Sequence, residues 1–188
     1  GKASALTDAG VRAYLGAGSR ATPEDFARVF RDHEGIAWPA IQWDGLHTVQ
    51  ELLTEGMNPR LSGMLACPAG LVCAAMPAVG IYHFGHPDYA YLDGVELASV
   101  AQPRIGADWA GLCAAAVAAA FDGAAPERIV ETVLAIAFRH NRDLFYDLDR
   151  VVKRAAWGER DAFDADWHAG RFDPEADNAN CWMALNPA

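Results

Sequence analysis

The segment Gly106–Phe121 constrains this chain more than any other. Trp109, Leu112, Cys113, Ala116, Val117, Ala120 and Phe121 recur there at helical spacing, and alanine fills many of the positions between them. A helix that is apolar all round belongs in an interior, and one coated in methyl groups lets its neighbours come close. An earlier run, from Gly70 through Leu71, Val72, Cys73 and Met76-Pro77 to Gly80-Ile81, is also small and apolar. Gly and Pro punctuate it where a backbone must turn or approach another element closely. Together they predict an all-α, orthogonally packed bundle with a central helix over 106–121 and a hollow beside 70–76.

The remaining elements follow from start and stop signals. Thr7-Asp8-Ala9-Gly10 reads as the opening of a short helix, with Val11, Tyr14 and Leu15 on one face. Thr22-Pro23-Glu24-Asp25 is a strong helix start, with Thr as N-cap, Pro at the first helical position and acids in the first turn. Phe26, Val29 and Phe30 give that helix its apolar face, and Gly35 ends it. Leu46 to Glu55 reads helical with Gly56 as its stop, and helices are expected after Pro87, after Pro126 and from Arg142. From Trp157 onward the periodicity fades into loop and short turns. Sustained period-two alternation, the mark of strands, is nearly absent. One domain over 1–188 is expected.

Composition narrows the function classes. The chain has 188 residues, 52% hydrophobic and 21% charged, enough to bury a real core. A net charge of −10 argues against a nucleic-acid partner, whose affinity comes from clustered Lys and Arg. Charges and prolines interrupt each apolar run, so no membrane span is expected, and Gly1-Lys2-Ala3-Ser4 does not open a signal peptide. Cys67, Cys73, Cys113 and Cys181 show no metal-ligand spacing and are expected as free thiols in a reducing cytoplasm.

Three pieces in one order, within roughly Thr7 to Val152, resemble a known family. They are Asn58-Pro59-Arg60 with Ser62-Gly63 leading to Pro68-Ala69-Gly70; Ala74-Ala75-Met76-Pro77-Ala78-Val79-Gly80-Ile81; and His86-Pro87-Asp88-Tyr89-Ala90-Tyr91 through Ser99-Val100-Ala101-Gln102 into the alanine helix. In this the chain is similar to the ADP-ribosylglycohydrolases, related to the dinitrogenase-reductase-activating glycohydrolases. The resemblance implies their helical core and hydrolysis of a glycosidic bond to ADP-ribose or a related nucleoside. It also implies a binuclear Mg²⁺ site, in which hard cations collect oxygen ligands and orient ribose and water. Thr7 and Asp8 match the first two positions of the family's Thr-Asp-Asp motif, with Ala9 in place of the second Asp. The family's opening Gly-Asp helix and closing Asp-rich motif have no counterpart. Three explanations stand open: a portion of a longer or cleaved protein, a partner chain or second copy that completes the domain, or a divergent member without metals.

On this resemblance Asp8 and Asp93 are the expected catalytic acids, Thr7 and Asp8 the metal ligands, and Gly70 to Met76 the substrate cradle. Each has a plainer alternative. Thr7-Asp8 also reads as an N-cap, and Gly70 and Gly80 as permitting tight turns. His83 and His86, three apart with Asp88 near, suit metal binding or proton exchange, or simply a surface turn. Asp93 and Glu96 share a helix face, as an acid–base pair of raised pKa or as a solvated stripe. Trp38 and Trp43 suit stacking on a base or sealing a bundle end. Arg60 suits a phosphate or open solvent. Two further classes compete with the hydrolase: a non-catalytic binding or scaffold domain, and a metal-free enzyme taking an apolar substrate, suggested by Leu71, Val72 and Cys73.

Overall fold

The computed structural model describes residues 2–36, 45–66 and 71–157, with side chains from 3 to 153 of these. Trp38, Trp43 and Gly70 of the expected site, Cys67, Cys181 and the segment following Trp157 lie outside the described residues.

Among the described residues the fold is all-α, with no strand. Helices α1 (Lys2–Ala17), α2 (Pro23–Asp32), α3 (Leu46–Thr54) and α4 (Pro59–Ser62) come first. Short 3₁₀ turns at Gly63–Leu65 and Leu71–Ala75 lead to α5 (Met76–Tyr82), α6 (Pro87–Ala98), α7 (Arg104–Phe121), α8 (Pro126–His140) and α9 (Arg142–Trp157). The expected starts at Pro87, Pro126 and Arg142 therefore hold. So does α2, where the Asp25 amide donates to Thr22 Oγ1 and the Thr22 amide donates to Asp25 Oδ2, closing a capping box. Gly56, at φ 90°, supplies the left-handed residue that follows α3.

The first helix departs from expectation. It begins at Lys2, so Thr7 and Asp8 sit in its interior and neither is an N-cap. Ala5 and Leu6, which precede the polar pair, continue the same buried stripe as Ala9 and Ala13, and that stripe extends the helix past the pair.

The centre of the fold is α7, packed most extensively on α6 and then on α5. Glycines set the spacing. A Cβ on Gly111 would fall 2.8 Å from the Tyr91 carbonyl oxygen, and one on Gly80 would fall 2.5 Å from Val117 Cβ. These helices meet backbone to backbone, as the small residues of 70–81 and 106–121 predict.

Yet α7 is not apolar all round. Asp108 is completely buried and accepts from Tyr91 Oη at 3.0 Å, Arg104 Nε at 3.1 Å and Asn141 Nδ2 at 2.7 Å. Asn141 Oδ1 in turn accepts the Leu144 amide at 3.2 Å, capping α9. One buried carboxylate thus ties α6, α7 and the start of α9 together. Contrary to expectation, α7 is long and apolar enough to cross a membrane by length and composition, although 61% of it is buried inside the molecule. Its only charges are Arg104 and Asp108.

Candidate functional site

The two segments that the sequence resemblance assigns to one site do meet. Thr7 on α1 and Ala74 in the 3₁₀ turn Leu71–Ala75 are joined by a hydrogen bond, Thr7 Oγ1 donating to the Ala74 carbonyl at 2.8 Å. The same hydroxyl also lies 3.0 Å from the Ala3 carbonyl. One turn along α1, a Cβ on Gly10 would fall 2.5 Å from the Ala75 carbonyl oxygen, so the helix and the turn touch through their backbones. Thr7 is exposed and Asp8 is partly exposed at this junction.

Asp8 has two partners. Arg12, one turn on, places Nε 2.6 Å from Asp8 Oδ2, and His33 at the end of α2 places Nε2 2.9 Å from the same oxygen. The Gly35 amide donates to His33 Nδ1 at 3.1 Å, so the ring proton belongs on Nε2 and points at Asp8. The His33 hydrogen bond, with help from Arg12, holds the Asp8 carboxyl below the usual carboxylate range. It is an ionised carboxylate beside a guanidinium, facing solvent.

These residues do not fit Mg²⁺. A guanidinium and an imidazole N–H both sit on Asp8 Oδ2, and the charge of Arg12 opposes a dication there. Among the described residues no three His, Cys, Asp or Glu side chains converge as a metal-binding group.

Asp93 lies in a separate cluster. The residue is 6% exposed, and its carboxylate receives both Nε and Nη2 of Arg20, each at 2.7 Å, together with His83 Nε2 at 2.7 Å. Arg20 Nη2 also reaches Glu96 Oε2 at 2.5 Å, and Arg60 bridges Glu96 to Glu24. The chain of charges joins the α1–α2 turn, α2, α4 and α6. Burial pushes the Asp93 carboxyl up, but hydrogen bonds from Arg20 and His83 outweigh it and leave it lowered. Asp93 is thus a buried, arginine-paired carboxylate, neither an acid of raised pKa nor part of a solvated stripe.

Other expected residues are placed apart. His83 meets Asp93, whereas exposed His86 sets its ring against Tyr89 at 6.0 Å between centroids. The His83 ring also lies 6.3 Å from that of Tyr89, so the tyrosine neighbours both imidazoles. Arg60 is committed to Glu24 and Glu96, not open to a phosphate. Met76 is fully buried in the core, and so is Val72, so neither side chain presents itself to a ligand. Of the apolar trio Leu71, Val72 and Cys73, only the first and last are partly exposed.

Sequence reasoning passed over Arg12, Arg20, His33 and Asp108. Arg12 was legible as the i+4 partner of Asp8, and Asp108 as a single acid in an apolar helix with Arg104 one turn before it. Nothing in spacing signals Arg20 or His33, whose partners are 73 and 25 positions away. One hollow of about 300 Å³ is lined by Arg31, His47, Gln50 and neighbours, and another of about 230 Å³ lies by Arg28 and Met57. Neither borders Leu71–Ala75 or holds an expected site residue.

Fold and site together define an all-α protein with an ionised, solvent-facing carboxylate where α1 meets the Leu71–Ala75 turn. No family model, no curated protein and no solved structure matches the chain.

Proposed function

We propose that this chain is a hydrolase of the ADP-ribosylglycohydrolase kind, cleaving a glycosidic bond to ADP-ribose or a related nucleoside at the α1–turn junction. One observation supports the reading above others. The Thr7–Ala74 hydrogen bond unites the Thr-Asp pair with the 71–75 turn, two segments 67 positions apart that the resemblance puts at one substrate.

The chemistry follows from charge. Glycosidic cleavage passes through an oxocarbenium-like transition state, and a fixed anion near the anomeric carbon stabilises it. Asp8, held ionised by His33, suits that role better than proton transfer, because a carboxyl of lowered pKa is a weak base. Arg12 beside it suits an anionic diphosphate. No step runs through Mg²⁺, since the described residues do not gather its ligands.

The test is release of free sugar nucleotide from ADP-ribosylated protein and from simple nucleosides, measured by chromatography with Mg²⁺ and with a chelator. Turnover that survives the chelator and falls at least tenfold in Asp8→Asn supports the reading. Turnover that needs Mg²⁺ overturns its metal-free form, and turnover indifferent to Asp8→Asn overturns the role of Asp8. The second reading is a binding domain without catalysis, favoured by the commitment of Asp8 to Arg12 and His33. Binding of ADP-ribose with no product released from any of these substrates selects it.

A further inference from the structure

One imidazole in the Asp93 cluster has a ring nitrogen to spare. His83 caps the C-terminus of α5, and its Nε2 lies 2.7 Å from Asp93 Oδ2. Among the described residues no group is bonded to its Nδ1. Nor does Nδ1 belong with the buried polar atoms that lack a partner, so, on a side chain 14% exposed, it opens to solvent. An ionised carboxylate can only accept a hydrogen bond. In the neutral ring the proton therefore sits on Nε2, and the Nδ1 lone pair is left free. Arg20 grips both oxygens of Asp93, which fixes the carboxylate and through it the ring.

The surroundings decide what can meet that lone pair. Tyr82 stands edge-on to the His83 ring at 4.9 Å between centroids, and Tyr89 lies 6.3 Å away. Both tyrosines are exposed, as is Leu92, one turn beyond Tyr89 on α6. Tyr14 of α1 supports Tyr82 from 4.9 Å. Around Asp93 the two guanidiniums of Arg20 and Arg60 are committed to three carboxylates, Asp93, Glu96 and Glu24. Surplus negative charge beside exposed aromatic rings repels a phosphate or carboxylate and suits a neutral aromatic group.

We infer that His83, oriented by Asp93, is the proton acceptor of a second hydrolytic site, one that takes neutral esters carrying an aromatic group between Tyr82 and Tyr89. Among the described residues no hydroxyl or thiol is bonded to Nδ1, so water is the nucleophile it serves. Nδ1 takes a proton from water as the water oxygen bonds to the ester carbonyl carbon and the carbonyl electron pair moves onto its oxygen. That pair then returns, the carbon–oxygen bond to the phenol breaks, and Nδ1 hands its proton to the departing phenolate. Acid and phenol leave, the imidazole is neutral again, and no electron is gained or lost. Asp93 stays ionised throughout and steadies the transient imidazolium.

This site stands apart from the glycosidase reading, because it uses neither Thr7-Asp8 nor the Leu71–Ala75 turn and its readout needs no glycoside. The full chain is assayed with p-nitrophenyl acetate, and release of p-nitrophenol is followed by absorbance. Hydrolysis should be saturable. His83→Ala should lower kcat/KM by about 100-fold, and added imidazole should restore part of that loss, which a merely structural role would not permit. His47→Asn, exposed on α3, should leave the rate unchanged. Wild-type hydrolysis no faster than that of an equal concentration of free imidazole, a His83→Ala rate equal to wild type, or a loss that imidazole does not rescue overturns the inference. If His83→Ala does not fold, diethylpyrocarbonate on the wild-type chain decides, with the modified histidines mapped by mass spectrometry. Loss of hydrolysis in step with modification of His83 supports the inference; loss with His83 unmodified, or hydrolysis intact with His83 modified, overturns it.

Discussion

Arg20 grips both oxygens of the Asp93 carboxylate, Nε on one and Nη2 on the other, each at 2.7 Å. The arginine sits in the turn between α1 and α2, and the aspartate on α6 is nearly removed from water. A bidentate pair of this kind fixes orientation as well as charge. It fastens the N-terminal helices to the α6–α7 core at a point where few apolar side chains could do so. Arg20→Ala strands a buried carboxylate with His83 alone, and should cost about 2 kcal/mol in urea unfolding, less than a wholly buried pair because half of the arginine side chain is in water. A loss within error of zero would show the pair to be ornamental.

The same pair sets a dependence on pH. Asp93 titrates below its ordinary value of 3.8 in the folded protein, so folding favours its ionised form. Its contribution is fully present above the unfolded value and drains away as pH falls through the lower folded value. Wild type minus Asp93→Asn stability, followed by denaturant titration, should be flat near neutrality and shrink between about pH 5 and pH 2. Asp8 and Asp25 are lowered too, so the variant keeps part of its own acid limb. A difference that grows toward low pH would reverse the assigned sign.

Close helix approach in the core predicts opposite outcomes for two glycines. Gly111→Ala drives a methyl within 2.8 Å of the Tyr91 carbonyl and should destabilise by about 2 kcal/mol. Gly16, in α1 with open space around its Cβ position, should gain about 0.5 kcal/mol as alanine from helix propensity alone. Thermal unfolding of the two variants side by side checks both signs.

The buried Asp108 offers a cleaner hydrogen-bond deletion. Tyr91→Phe removes one of its three donor residues without changing the packed ring, and should cost about 1–2 kcal/mol in chemical unfolding. Asn141→Ala should cost more, since it removes a second donor and the cap of α9 together. Equal losses in the two variants would deny the capping role.

How far the sequence speaks depends on the range of the interaction. The helices after Thr22, Pro87, Pro126 and Arg142 were legible because caps and prolines act on their own neighbours. The central helix was legible because alanine and glycine at helical spacing have no other economical use. Asp93 was singled out from its position on α6, but its company was not: Arg20 lies in a loop and carries no periodic signal. The Thr7-Asp8 pair reads as a helix start because cap chemistry is local, while the burial of Leu6 and Ala9 that extends α1 is tertiary. His33 was passed over for the same reason. Its ring tautomer is set by the Gly35 amide and its partner lies on another helix.

In the proposed function Thr7–Asp8 and Leu71–Ala75 act as one ligand-facing surface. Hydrogen exchange of the full chain, with and without saturating ADP-ribose, measures this most directly. Slowed exchange at the amides of 7–12 and of 71–75, with α8 unaffected, is the result predicted. Unchanged exchange in both segments, or protection confined to the hollow by Arg31 and Gln50, would contradict it.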